Sequence, residues 1–188
     1  ELLRSVGVDS LVTVDVHSPR VLESFQGRSL NIMVSDLLVK RALNYLKDPV
    51  VVAPDRGALE RACHAARAHV LLCDYLIKQR DRVTGEVSYV PREVSVSGRD
   101  VVIIDDIIST GGTVAEATRT LLSRGAERVV VAAAHGLLVE GAVKKLEESG
   151  VYRVLLANTL GVRHGHPLVD YVDISSRLAS ELKKYLGL

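Results

Sequence analysis

The densest concentration of chemically useful residues is Val101-Val102-Ile103-Ile104-Asp105-Asp106-Ile107-Ile108-Ser109-Thr110-Gly111-Gly112-Thr113. Four apolar β-formers deliver two adjacent carboxylates. A short loop of hydroxyls and glycines comes after them, and then a helical pattern begins. Free N–H groups at such a loop and at the opening turn of a helix favour a phosphate. Gly111 and Gly112 allow close approach of the backbone, and Ser109, Thr110 and Thr113 add hydroxyl donors. Two carboxylates beside a phosphate would repel it, so Asp105 and Asp106 suit sugar hydroxyls or a metal. Phosphate plus diol describes ribose 5-phosphate. The Lys of a Walker loop is missing.

Three other segments carry candidates. Thr13-Val14-Asp15-Val16-His17-Ser18-Pro19 places a His two residues after a carboxylate at a strand end, where it can donate or neighbour a metal. Val52-Ala53-Pro54-Asp55-Arg56-Gly57-Ala58 is a strand leading into a Pro-Asp-x-Gly turn and a helix. Lys78-Gln79-Arg80 opens a polar, charged stretch. Each also reads as ordinary structure: a capped turn, a common loop and a solvated basic turn.

The elements that must position these residues alternate. Short apolar runs at 11–14, 50–53, 70–73, 101–104, 128–134 and 153–157 predict strands. Helices are predicted over 35–47 with Ser35 as cap, and over 58–68, 113–124, 141–149 and 174–186. One or two edge strands fall within 84–96. The apolar runs do not alternate with polar residues, as befits strands buried on both faces. The expected architecture is α/β: a doubly wound, mostly parallel sheet flanked by helices. In such sheets ligands bind beyond the carboxyl ends of the strands.

Composition narrows the function further. Of 188 residues, 47% are hydrophobic and the net charge is only +1, which excludes a general nucleic-acid or acidic-membrane binder. No membrane span or signal-peptide pattern is visible. Cys63 and Cys73 are expected as buried thiols in a reducing cytoplasm. Few Gln and Asn beside abundant Arg are compatible with a thermophilic source. Glu1 to Gly7 reads as a helix tail closed by glycine, which predicts an upstream part. His164-Gly165-His166 offers two imidazoles without nearby Cys or carboxylate and is read as incidental.

The loop at 105–113 resembles the signature of the type I phosphoribosyltransferase fold. The order of the other segments is similar to that of ribose-phosphate pyrophosphokinases, with Tyr75 to Val87 most like archaeal members. Ala132-Ala133-Ala134-His135-Gly136 and Ala157-Asn158-Thr159 also look like later family segments. Ala53 stands where the family has Ser, Ala134 where it has Thr, and Arg56-Gly57-Ala58 keeps one glycine of a pair.

The resemblance implies transfer of the β,γ-diphosphoryl group of ATP to the C1 hydroxyl of ribose 5-phosphate. The products would be phosphoribosyl pyrophosphate and AMP, with Mg2+ as cofactor. Lys78 and Arg80 would be catalytic. Asp105, Asp106, Ser109, Thr110, Gly111, Gly112 and Thr113 would hold ribose 5-phosphate. His17, Asp55, Arg56 and Gly57 would meet ATP or diphosphate, and His17, Asp55 and Asp15 the metal. Residues 1–34 would be the remnant of an N-terminal phosphoribosyltransferase-like domain and 35–170 a C-terminal one. The helix in 171–188 would pack back on the N-terminal part. The implied protein is a cytoplasmic homo-oligomer whose partners are small molecules, and this chain alone would be inactive. The alternatives are a phosphoribosyltransferase that consumes phosphoribosyl pyrophosphate, and a non-catalytic regulatory relative.

Overall fold

The computed structural model describes residues 2–80 and 87–188; of Lys78 to Arg80 and Val87 to Val90 the backbone alone is described. Helix α1 (Leu2–Ser5), strand β1 (Ser10–Val14), helix α2 (Arg20–Glu23) and strand β2 (Arg28–Ile32) come first. Strands β1 and β2 pair in parallel as a separate two-stranded sheet. Next come α3 (Ser35–Ala42), β3 (Val50–Ala53), α4 (Leu59–Arg67), β4 (Cys73–Arg80) and β5 (Val87–Pro91). The chain continues through β6 (Val101–Ile108), α5 (Gly112–Ser123), β7 (Val129–Gly136) and α6 (Ala142–Glu148). It closes with β8 (Arg153–Ala157), β9 (Val169–Val172) and α7 (Ser175–Leu186).

The main sheet has the order β5-β4-β3-β6-β7-β8-β9, parallel except for β5, which returns antiparallel along β4. The expected doubly wound, mostly parallel sheet is present. Its switch point lies between β3 and β6, so the chains that continue from them leave in opposite directions.

Alternation along β6 explains the two-sided core. Val101 and Ile103 pack with Val114, Ala117, Leu121 and Leu146 on the α5–α6 side. Val102 and Ile104 pack with Leu38, Val39, Ala62 and Ala66 on the α3–α4 side. Each buried Val, Ile or Leu side chain contributes about 1.5–3 kcal/mol of transfer free energy, so both faces hold the sheet.

Several elements differ from the sequence reading. Val70 to Leu72 is not a strand: Val70 is 95% exposed with φ +57°, and β4 starts at Cys73. The apolar run after α4 is simply the exit turn. Strands β2 and β9 have no counterpart in the sequence reading. Helix α3 ends at Ala42, and Val34 rather than Ser35 precedes its first residue. Cys63 and Cys73 are not free thiols but a disulfide joining α4 to the start of β4, with Cα atoms 5.3 Å apart. Proximity across the fold makes the pair, which sequence spacing cannot show. No helix among the described residues is long and apolar enough to cross a membrane.

At the other edge of the fold, α7 meets β2. The Arg28 guanidinium donates to the Tyr185 carbonyl at 2.7 Å and stacks on the Tyr185 ring. Arg177 donates to both carboxylate oxygens of Asp36.

Candidate active site

Two clefts open at the carboxyl ends of β3 and β6. The first is formed by Asp105, Ile107, Ile108, Ser109, Thr110, Gly111, Gly112, Thr113 and Val114 and has a volume of about 140 Å³. All predicted phosphate-loop residues are therefore together, at the opening turn of the twelve-residue helix α5. Gly111 caps that helix with φ +71°, and a side chain there would press on Leu146. Only glycine meets both demands without strain. The first N–H groups of a helix lack partners within the helix, so they are available to an anion at this mouth.

The second cleft, about 110 Å³, is lined by Asp15, Val16, His17, Asn31, Gly57, Glu60 and Arg61, among others. It joins the two-stranded sheet to α4. Here His17 Nδ1 lies 2.6 Å from Asp106 Oδ2. The His17 side chain is otherwise 86% exposed. Arg61, whose side chain is 13% exposed, reaches Asp15 Oδ1 at 3.2 Å and Asp106 Oδ2 at 3.6 Å.

The adjacent carboxylates thus meet different partners, although they stay within hydrogen-bonding reach of each other. Asp105 faces the phosphate loop. Asp106 is buried and faces His17 and Arg61. Burial, reinforced by the neighbouring Asp106 carboxyl, pushes Asp105 up to about 7. Burial also opposes charge on Asp106, but hydrogen bonds from His17 and Asp105 and the charge of Arg61 outweigh it. Its carboxyl is held below the usual range.

Asp15 is turned inward. It is 1% exposed, with a left-handed φ of +42°. Its Oδ2 accepts the Val34 N–H at 2.7 Å and its Oδ1 accepts from Arg61. Burial nevertheless raises its pKa, outweighing those donors. Both oxygens are engaged within the protein, so in this arrangement Asp15 presents none to a metal. Asp55 is the opposite case. It is exposed, and one carboxylate oxygen accepts the Ala58 N–H at 3.1 Å, shaping the turn before α4. Arg56 and Gly57 are exposed beside it.

Lys78 and Arg80 belong to β4, opposite Tyr89 and Val87 of β5. Their side chains, and residues 81–86 of the expected catalytic stretch, lie outside the described residues. His164 and His166 form a local turn in which His166 Nδ1 accepts the Leu168 N–H. Among the described residues no group of three or more His, Cys, Asp or Glu gathers as a metal cage.

Sequence reasoning missed Arg61 and Asn31. Asn31 Oδ1 accepts from the Val16 N–H at 3.0 Å and from Thr13 Oγ at 3.0 Å. One signal for Arg61 is present in the sequence: it borders the small buried stripe Ala62, Ala65, Ala66 of α4. A long cation beside such a stripe can lie down into the fold.

Residues 26–167 match the phosphoribosyl transferase domain family. The chain is 41% identical over 182 residues to the ribose-phosphate pyrophosphokinase of Saccharolobus solfataricus, covering 96% of this chain and 62% of that protein. It is 40% identical over 187 residues to that of Aeropyrum pernix, covering 98% and 60%. The crystal structure of phosphoribosylpyrophosphate synthetase from Mycobacterium smegmatis superposes with a TM-score of 0.85 at 29% identity. That likeness covers 99% of this chain and 61% of the other. The chain spans about three fifths of the length of these relatives.

Proposed function

The chain belongs to the phosphoribosyl transferase domain family, and from that premise we propose that the protein is a ribose-phosphate diphosphokinase. It transfers the β,γ-diphosphoryl group of ATP to the C1 hydroxyl of ribose 5-phosphate. A bond forms between the C1 oxygen and the β-phosphorus as the hydroxyl proton is released, the bond from that phosphorus to the α–β bridging oxygen breaks, and AMP leaves. The observation that carries this reading is the first cleft: a helix mouth lined with Ser109, Thr110 and Thr113, with the Asp105 carboxylate on its wall. That arrangement offers amides and hydroxyls to a 5-phosphate and an acceptor to a sugar hydroxyl.

The work is positioning and charge stabilisation rather than covalent catalysis. The loop from Ser109 to Thr113 anchors the phosphate, Gly111 and Gly112 letting its backbone close in. Asp105 orients the sugar, and Asp106 joins it once His17 turns to the incoming phosphates. Asp55, Arg56 and Gly57 receive ATP and diphosphate at the neighbouring strand end, and Lys78 and Arg80 stabilise the charge of the diphosphoryl group in flight. Mg2+, when bound, would supply charge neutralisation to the phosphates, with Asp55 and Asp105 as the carboxylates that would hold it. The donor set fits a hard cation that keeps most of its waters, because Asp55 is an exposed carboxylate in the turn after β3 and Asp105 lines the first cleft. Asp15 supports that site from behind, holding the segment that bears His17.

The remaining parts of the reading rest on likeness to the pyrophosphokinases. Residues 1–34 belong with an N-terminal domain, 35–170 form the C-terminal domain, and the helix after 171 packs on the former. The active form is a cytoplasmic homo-oligomer. One assay separates the rivals. The intact protein with ATP, ribose 5-phosphate and Mg2+ should release AMP. Pyrophosphate release from phosphoribosyl pyrophosphate and a nucleobase, without AMP release, would make it a phosphoribosyltransferase. Activity in neither assay would leave the regulatory relative.

A further inference from the structure

We infer that His135 is a positioning residue: it latches the two-stranded sheet onto the seven-stranded one and so fixes where His17 stands. His135 is the second-last residue of β7, paired with Ile107 beside Asp106. Its Nε2 lies 2.9 Å from the carbonyl oxygen of Val14, the last residue of β1. A carbonyl only accepts, so Nε2 carries the proton and donates. Its Nδ1 lies 2.9 Å from Thr159 Oγ, which itself lies 2.7 Å from the Ala134 carbonyl oxygen. The one Thr159 hydroxyl proton serves either the Ala134 carbonyl or Nδ1, and when it points to Nδ1 the ring is braced from the turn after β8 while it grips β1.

The grip matters because the chain leaving Val14 carries His17. Strand β1 pairs with β2 in its own sheet. Among the described residues no backbone hydrogen bond joins β1 to the seven-stranded sheet. Side chains must set the distance between the two. Directly after Val14 the chain enters the left-handed conformation of Asp15, which persists only where its surroundings impose it. Two residues later His17 meets Asp106 across the same gap. His135 holds the near end of this short span, Arg61 and Asn31 hold its middle, and His17 is the free end.

The kinetic arm of the test rests on the proposed diphosphokinase reading; the exchange arm does not. In the intact protein, His135→Ala should lower kcat/KM for ATP by about 10- to 100-fold, with a smaller change for ribose 5-phosphate, since a displacement near 1 Å costs that much. His135→Gln keeps a donor near the Nε2 position and should recover most of the loss. Amide hydrogen exchange should speed up in the Ala variant at Val16 and Val34, whose N–H groups bond Asn31 and Asp15, while β6 and β7 stay protected. Unchanged exchange at those two amides, equal impairment in the Gln and Ala variants, or loss of protection throughout the main sheet would overturn the inference. If the parent protein releases no AMP, the diphosphokinase reading falls while the exchange comparison still decides the role of His135.

Discussion

Asp105 and Asp106 are neighbours in sequence, yet one lines an open cleft at the mouth of α5 and the other is already engaged by His17 and Arg61. The first region is open, made of small residues, hydroxyls and a helix mouth. The second is knitted together beforehand by ion pairs and hydrogen bonds from β1, β2 and α4. The contrast teaches that a tandem carboxylate at a strand end is not one site counted twice. Asp106 meets His17 and Arg61 while Asp105 lines the loop at 107–114, although the two carboxyls stay within hydrogen-bonding reach of each other.

Five experiments bear on this contrast. The largest effect is expected at Lys78, which belongs to neither cleft in sequence but should act across both. Lys78→Ala should lower AMP release by about 10³-fold or more, as for other cations on a transferring phosphoryl group, with modest change in ribose 5-phosphate affinity. Undiminished turnover would remove it from the chemistry.

Next comes Arg61. Its replacement by Ala leaves Asp15 and Asp106 buried without their permanent cation and should cost about 3 kcal/mol in urea unfolding. A loss under about 0.5 kcal/mol, the level of ordinary surface changes, would mean that the second region is not pre-assembled through Arg61. The disulfide offers a control away from both clefts. Cys63 and Cys73 are ten positions apart, so opening the short loop they close should cost on the order of 2–3 kcal/mol. Thermal melts with and without a reductant would show it, and identical melts would mean the bond is not formed in solution.

Smaller effects are expected at the two carboxylates themselves. Asp106→Asn should weaken ribose 5-phosphate by about tenfold, the worth of one charge-assisted hydrogen bond, and calorimetry showing no loss would confine Asp106 to holding His17. Asp105 ionises near 7 in the folded protein against 3.8 for an ordinary aspartate. A raised carboxylate pKa helps the folded state only below the ordinary value, and that help is lost as pH rises through the folded one. Asp105→Asn should therefore raise Tm by an amount that grows from about pH 4 to about pH 7 and then levels off. A gain independent of pH would contradict the burial argument.

The region of the first cleft is legible in the sequence because its residues are contiguous. Val101 to Thr113 writes strand, acids, loop and helix in one line, and each residue type has a local reason to be there. The engaged region is not. Arg61, Asn31 and His135 act on partners 15 to 121 positions away, and apart from the alanine stripe beside Arg61 nothing in their own surroundings announces the pairing. The same holds for the fold. Runs such as Val50 to Ala53 declare themselves because they are buried on both sides. Strand β9, Val-Asp-Tyr-Val at the sheet edge, is half-buried and mixed in character, so it carries little signal. Val70-Leu71-Leu72 carries a false one, because hydrophobicity alone does not distinguish a strand from an exposed turn.

The order of strands also bears on how such a protein can change. Where β3 and β6 lie side by side, their continuing chains peel away to opposite layers. Each cleft thus opens beside a diverging main chain and needs no bulky residue to prop it apart. That leaves the rims free to be built from Ser, Thr, Gly and Asp. A hollow created by topology tolerates changes in most of its lining, Gly111 excepted, without putting the scaffold at risk.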